Sequence, residues 1–145
     1  MKFVTKTLVA GLVLVAGVAV AAEATDPTVK ARQELMDVIG LNTKTLGDMA
    51  GGKTAFDAAA AEAAKAALIA AAADIPAKFE PQATDPKSTS KAEVWTNWDD
   101  FLADAKALGD AAGALDATTV EGVQAGMGAI GGTCKDCHSE FRIPS

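Results

Sequence analysis

The chain has 145 residues and carries 13 lysines and arginines against 19 aspartates and glutamates, a net charge of −6. That balance argues against a nucleic-acid binder, which needs a basic patch, and suits a protein that meets partners through a charged surface. Alanine is abundant, tyrosine is absent and β-branched alternation is scarce, so helices are expected.

The start, "MKFVTKTLVAGLVLVAGVAVAAEATDP", has two lysines, an apolar run from Leu8 to Val20, and Val20-Ala21-Ala22 ahead of Glu23. A basic start, a short apolar middle and a small-residue cut site describe a secretory signal peptide. The run is too short and too rich in Gly and Ala to span about 30 Å of bilayer. Residues 1–22 are therefore expected to be removed, leaving 23–145 as one domain. Losing Lys2 and Lys6, with no acid, takes the charge from −6 to −8. Export would permit a disulfide, so composition alone leaves the two cysteines open.

Four helices follow in chain order. The first is expected from about Thr28 to Gly47, with Asp26 as cap and Pro27 at the first position; Val29, Leu35, Met36, Ile39, Thr43 and Leu46 share one stripe. The second is expected from Thr54 to about Ile75, opened by Thr54 and Asp57 as a capping box and stopped by Pro76. Its face reads Phe56, Ala60, Ala63, Ala67, Ala71 and Ile75, small enough for another backbone to approach closely.

Residues 76–91 hold three of the five prolines and read as the longest loop. The third helix is expected to open at Ser90 with Glu93 completing the box, its seam being Val94, Trp98, Phe101, Ala105, Leu108, Ala112 and Leu115. The fourth starts near Thr118 or Thr119, with a seam of Val120, Val123, Met127, Ile130, Cys134, Cys137 and Phe141. Spacings of alternately three and four along both seams indicate bundle packing. The expected fold is all-α, an antiparallel up-down-up-down four-helix bundle.

The tail "GTCKDCHSEFRIPS" gathers both cysteines and the only histidine. An i,i+3 disulfide in a regular helix is strained. A thioredoxin-like pair belongs in a βαβ context, which is missing. A zinc site would have three ligands and need an acid as the fourth. The remaining reading is C-x-x-C-H, the attachment motif of a c-type haem, in which two thiols add to vinyl groups and the adjacent imidazole binds iron. Gly126, Gly128, Gly131 and Gly132 would then be places where a flat cofactor lies against the backbone, unless "GGT" simply breaks the helix.

With the leader, the bundle and this motif together, the chain resembles the cytochrome c′ family, including its low-spin cytochrome c-556 or c-554 branch. The resemblance spans the domain and rests on "ARQELM", "KAEVW" and "CKDCHSEFR". It implies one haem c with its iron per chain, thioether links at Cys134 and Cys137, and proximal ligation by His138. Arg142 stands one turn beyond His138, where the family often has a basic residue; Arg32 and Gln33 match positions near the haem edge and propionates. Met36 takes the distal position. If its sulfur binds, the iron is six-coordinate and low-spin with a raised potential; if it only packs, the site is open to nitric oxide or carbon monoxide. The aromatic residues Phe79, Trp95, Trp98, Phe101 and Phe141 read as core packing that excludes water.

The expected function is electron carriage between redox partner proteins in the periplasm of a Gram-negative bacterium, with capture of a diatomic gas as the alternative. No second histidine or nucleophile triad supports an enzyme. The family often dimerises through outer helix faces, for which the alanine-rich second helix could serve.

Overall fold

The computed structural model describes residues 24–144. The leader expected over residues 1–22 lies outside the described residues. Five helices are present among those described: α1 Pro27–Ala50, α2 Ala58–Phe79, α3 Glu93–Thr96, α4 Trp98–Ala114 and α5 Val120–Phe141.

The α1 helix begins as its sequence dictates. Asp26 Oδ1 accepts from the amides of Thr28 and Val29, at 2.8 and 3.1 Å, and Pro27 occupies a position whose amide would be unpaired anyway. The helix runs past Gly47 to Ala50 and ends at the Gly51-Gly52 pair, where Gly52 takes φ 70°, a conformation open to glycine at little cost.

The second helix departs from expectation at both ends. Thr54 does not open it; Asp57 does, accepting from the Ala60 amide at 3.0 Å. Pro76 does not close it, and α2 continues to Phe79. Partners from elsewhere in the fold hold that last turn. The Lys78 carbonyl accepts from Arg32 Nε at 3.2 Å, and the Phe79 carbonyl from Trp95 Nε1 at 2.7 Å. With its final carbonyls satisfied and Phe79 buried, the turn tolerates the single amide that proline withholds. The buried face is also shifted: Ala61, Ala64, Leu68, Ala71, Ala72, Ile75 and Phe79 are inside, while Ala63 is exposed. In an alanine-dense helix the few large residues, Leu68 and Phe79, decide the face.

Ser90 does not cap the third helix. It pairs with Arg142 in an isolated antiparallel bridge, and the helix is broken at Asn97 (φ −117°, ψ 48°) into a one-turn α3 and α4. The seam survives the break, because Val94, Phe101, Ala105, Leu108, Ala112 and Leu115 are all buried.

The fourth predicted helix is α5, capped by Thr119, whose hydroxyl accepts from the Gly122 amide at 3.0 Å. "GGT" does not interrupt it. One of the glycines has a packing reason of its own. A Cβ on Gly126 would stand 3.0–3.2 Å from the Leu115 side chain, so this glycine lets the turn after α4 close on α5, while Gly128, Gly131 and Gly132 face open space.

α1 packs on α2 and α5, and α4 packs on the same two, so the four long helices form a ring with α3 set against α4 and α5. This is the expected four-helix bundle. One end is solid, filled by Leu46, Leu68, Leu115 and Val123, each at most 2% exposed. The loop after α2 is tied to the start of α1 by Asp85, which accepts from the Thr25 amide and hydroxyl and the amides of Asp26 and Lys87. Those hydrogen bonds, Asp26 and Lys87 foremost, hold its carboxyl down to about 2.

Candidate functional site

The other end of the bundle holds a cavity of about 680 Å³ where the first half of α1 faces the second half of α5, within the size range of cofactor pockets. α1 contributes Arg32, Gln33, Met36, Ile39 and Thr43. α5 contributes Thr133, Cys134, Cys137, His138 and Phe141, followed by Arg142. Phe101, Asp104, Ala105 and Leu108 of α4 close the side. The candidate cofactor and metal residues Arg32, Gln33, Met36, Cys134, Cys137, His138 and Arg142 therefore all line one cavity.

The two cysteines are free thiols, half-buried, and one turn apart in an unbroken helix. Burial pushes both up, Cys137 to about 12, with the charges of Asp104, Cys134 and Glu140 adding to its burial. Burial thus favours the neutral thiol over the thiolate at both positions. No three His, Cys, Asp or Glu side chains among the described residues converge as metal ligands, so the zinc reading falls. His138 is exposed, yet it helps to form the wall; burial first, and Arg142 second, lower its pKa. A neutral imidazole is the form that binds metals.

Arg32 is only 3% exposed, which rules out a solvated helix face. Its guanidinium lies between Phe79 and Trp95, 5.3 and 5.1 Å from the ring centroids. Nε donates to Lys78 and Nη2 to Pro81. Nη1 is buried with no partner among the described residues. Gln33 donates to the Lys87 carbonyl at 3.1 Å. Ser88, Thr89 and Ser90 line the same rim, giving an end rich in donors. The aromatic residues form a linked cluster, Phe101 lying 5.1 to 5.4 Å from Phe79, Trp98 and Phe141.

Several contributors escaped the sequence reading. Ser88 to Ser90 looked like a loop and a cap. Asp104, raised by burial and then by Glu140, Asp136 and Asp100, sits three residues beyond Phe101 and could have been placed on the seam's flank. Lys91 gave no signal: its Nζ donates to the carbonyls of Ser139 and Glu140, at 3.1 and 2.8 Å, and its amide to Phe141. With Ile143 bonded to Thr89 at 2.8 Å, this clasp fixes the end of α5 that bears the cysteines.

Fold and site together define a four-helix bundle with a cofactor-sized, largely apolar cavity at one end. The family model described as Cytochrome C′ matches residues 27–142. Cytochrome c′ of Cereibacter sphaeroides is 34% identical over 144 residues, covering 90% of this chain and 93% of that protein. Cytochrome c-556 of Agrobacterium fabrum is 32% identical over 146 residues, covering 99% and 96%. The structure of oxidized R. palustris cytochrome c556 superposes with a TM-score of 0.73 at 30% identity, covering 82% of this chain and 98% of that one. The chain belongs to the cytochrome c′ family. Its cofactor is haem c with iron, and it is a c-type haem electron carrier in the broad sense that covers cytochromes c′ and c-556.

The residues present fit that group. Two neutral thiols stand at helical i,i+3 beside one imidazole, the walls are apolar and aromatic, and a buried guanidinium nitrogen on the wall lacks a protein acceptor.

Proposed function

We propose that this protein is a one-electron carrier of the low-spin cytochrome c-556 kind. Cys134 and Cys137 would hold the haem through thioether links, and His138 and Met36 would bind its iron. When bound, the haem supplies a reversible Fe(II)/Fe(III) couple; the chain's part is to hold ligands still and water out. One observation carries the reading: Met36, half-buried on α1, lines the same cavity as His138 on the facing α5. A soft thioether opposite a neutral imidazole raises the potential.

Arg32 and Gln33 are the partners of the haem carboxylates. The unpartnered Nη1 of Arg32 supports this, since a buried guanidinium nitrogen is best satisfied by a carboxylate. Burial, and after it the charge of Arg142, lower the pKa of His138 and so favour its neutral form. The expected leader supports a periplasmic carrier, whose acidic surface would guide basic redox partners. Among the described residues no helix is long and apolar enough to cross a membrane.

A visible spectrum of the reduced protein tests this. Sharp, split low-spin bands unchanged by carbon monoxide are expected, and Met36→Ala is expected to convert them to a broad, gas-responsive form. Broad bands in the unaltered protein that shift with carbon monoxide would instead make it a five-coordinate gas binder.

A further inference from the structure

Thr43 lies on α1 seven residues beyond Met36, about 10 Å further along the helix axis, and lines the same cavity. Its Oγ1 is buried with no hydrogen-bond partner among the described residues. The neighbouring turn shows what a helical threonine ordinarily does: Thr45 donates to the Leu41 carbonyl at 3.0 Å. Thr43 makes no such bond. A buried hydroxyl left in that state is costly, so a partner from outside the chain is implied.

The haem itself is a poor candidate. Its hydrogen-bonding groups are two carboxylates, which on the reading above point to Arg32 and Gln33, about 16 Å back along α1; the rest of its rim is hydrocarbon. On α5, which packs against α1, Thr133 also lines the cavity, and its hydroxyl donates to the Ile130 carbonyl at 2.9 Å. Its oxygen keeps lone pairs to accept with. A buried water needs room and two to four polar partners. The two hydroxyls supply two polar partners.

We propose that Thr43 and Thr133 hold one water molecule between α1 and α5 in the haem cavity, Thr43 donating to it and Thr133 accepting from it. The water joins α1, which carries Met36, to α5, which carries His138, and so fixes the spacing of the two helices that present the axial ligands. Both threonines are positioning residues. The inference rests on the electron-carrier reading for the direction of the carboxylates.

The test uses the haem-loaded protein and four variants: Thr43→Val, Thr43→Ser, Thr133→Val, and the double Thr43→Val/Thr133→Val. Denaturant unfolding is expected to show Thr43→Val lowering the folding constant about fivefold, the scale of one lost hydrogen bond, although valine matches threonine in shape. Serine is expected to restore it. The double variant is expected to cost no more than the worse single one, because both remove the same bridge. The reduction potential is expected to move with Thr43→Val and return with serine. A Thr43→Val protein as stable as the parent or more so would overturn the proposal, as would single effects that simply add. The low-spin bands of the parent are read first. Their absence there, with the coupling intact, counts against Met36 ligation and leaves the bridge standing.

Discussion

At the closed end of the bundle Leu46, Leu68, Leu115 and Val123 are at most 2% exposed, whereas at the cavity end Met36, Cys134 and Cys137 stay half-buried around an opening of about 680 Å³. The same four helices build both, and the difference lies in what fills them. Leucines meeting alanines reach native packing density without help. The cavity end presents apolar wall with nothing of the chain's own to cover it, and it spends its polar contacts on alignment: Asp85 at the start of α1, Lys91 at the end of α5, Arg32 across the last turn of α2. One end makes the fold stable; the other makes it selective for a cofactor.

This contrast can be broken from either side. The largest effect is expected from the Cys134→Ala/Cys137→Ala double variant, which should lose all covalently held haem, read as the absence of colour after denaturing electrophoresis, while circular dichroism still reports helices held by the closed end. Leu68→Ala should do the reverse. At 0% exposure it should cost about 3 kcal/mol of stability through lost burial and a residual cavity, measured by denaturant unfolding, with haem content unchanged.

A smaller effect is expected from Asp85→Asn. The folded carboxyl titrates near 2, below the usual value of about 3.9. The anchor therefore stabilises the native state above about pH 4, and that contribution is lost as pH falls toward 2. The variant should melt below the parent at pH 7, and the gap should narrow as the scans are repeated at lower pH. Smallest of all is Lys106→Ala. Its 2.5 Å pair with Asp110 leaves both side chains at least 66% exposed, and such pairs are worth little; no shift in melting temperature beyond measurement error is expected.

That the candidate residues would come together was more legible in the sequence than the details of the fold around them. The seams of α4 and α5 were readable because large apolar residues stand out against polar neighbours, and one of them led straight to Cys134, Cys137 and Phe141. The α2 face was not, since a row of alanines offers no contrast and Leu68 shifted the face by a residue. The helix running past Pro76 depends on Arg32 and Trp95 arriving from other elements, and Ser90 resembled a cap until the tail at Arg142 paired with it. Such outcomes are decided by tertiary partners, to which a local pattern is blind. Thr43 likewise read as one more position on a stripe, and only its missing partner marks it out.

Both tryptophans of the chain stand at the cavity end, Trp95 bonded to the Phe79 carbonyl and Trp98 stacked 5.4 Å from Phe101. With haem bound in the cavity, these indoles are expected to pass their excitation to it. The protein should then be dim under ultraviolet illumination and brighten as the helices separate, an optical signal of loosening that needs no dye.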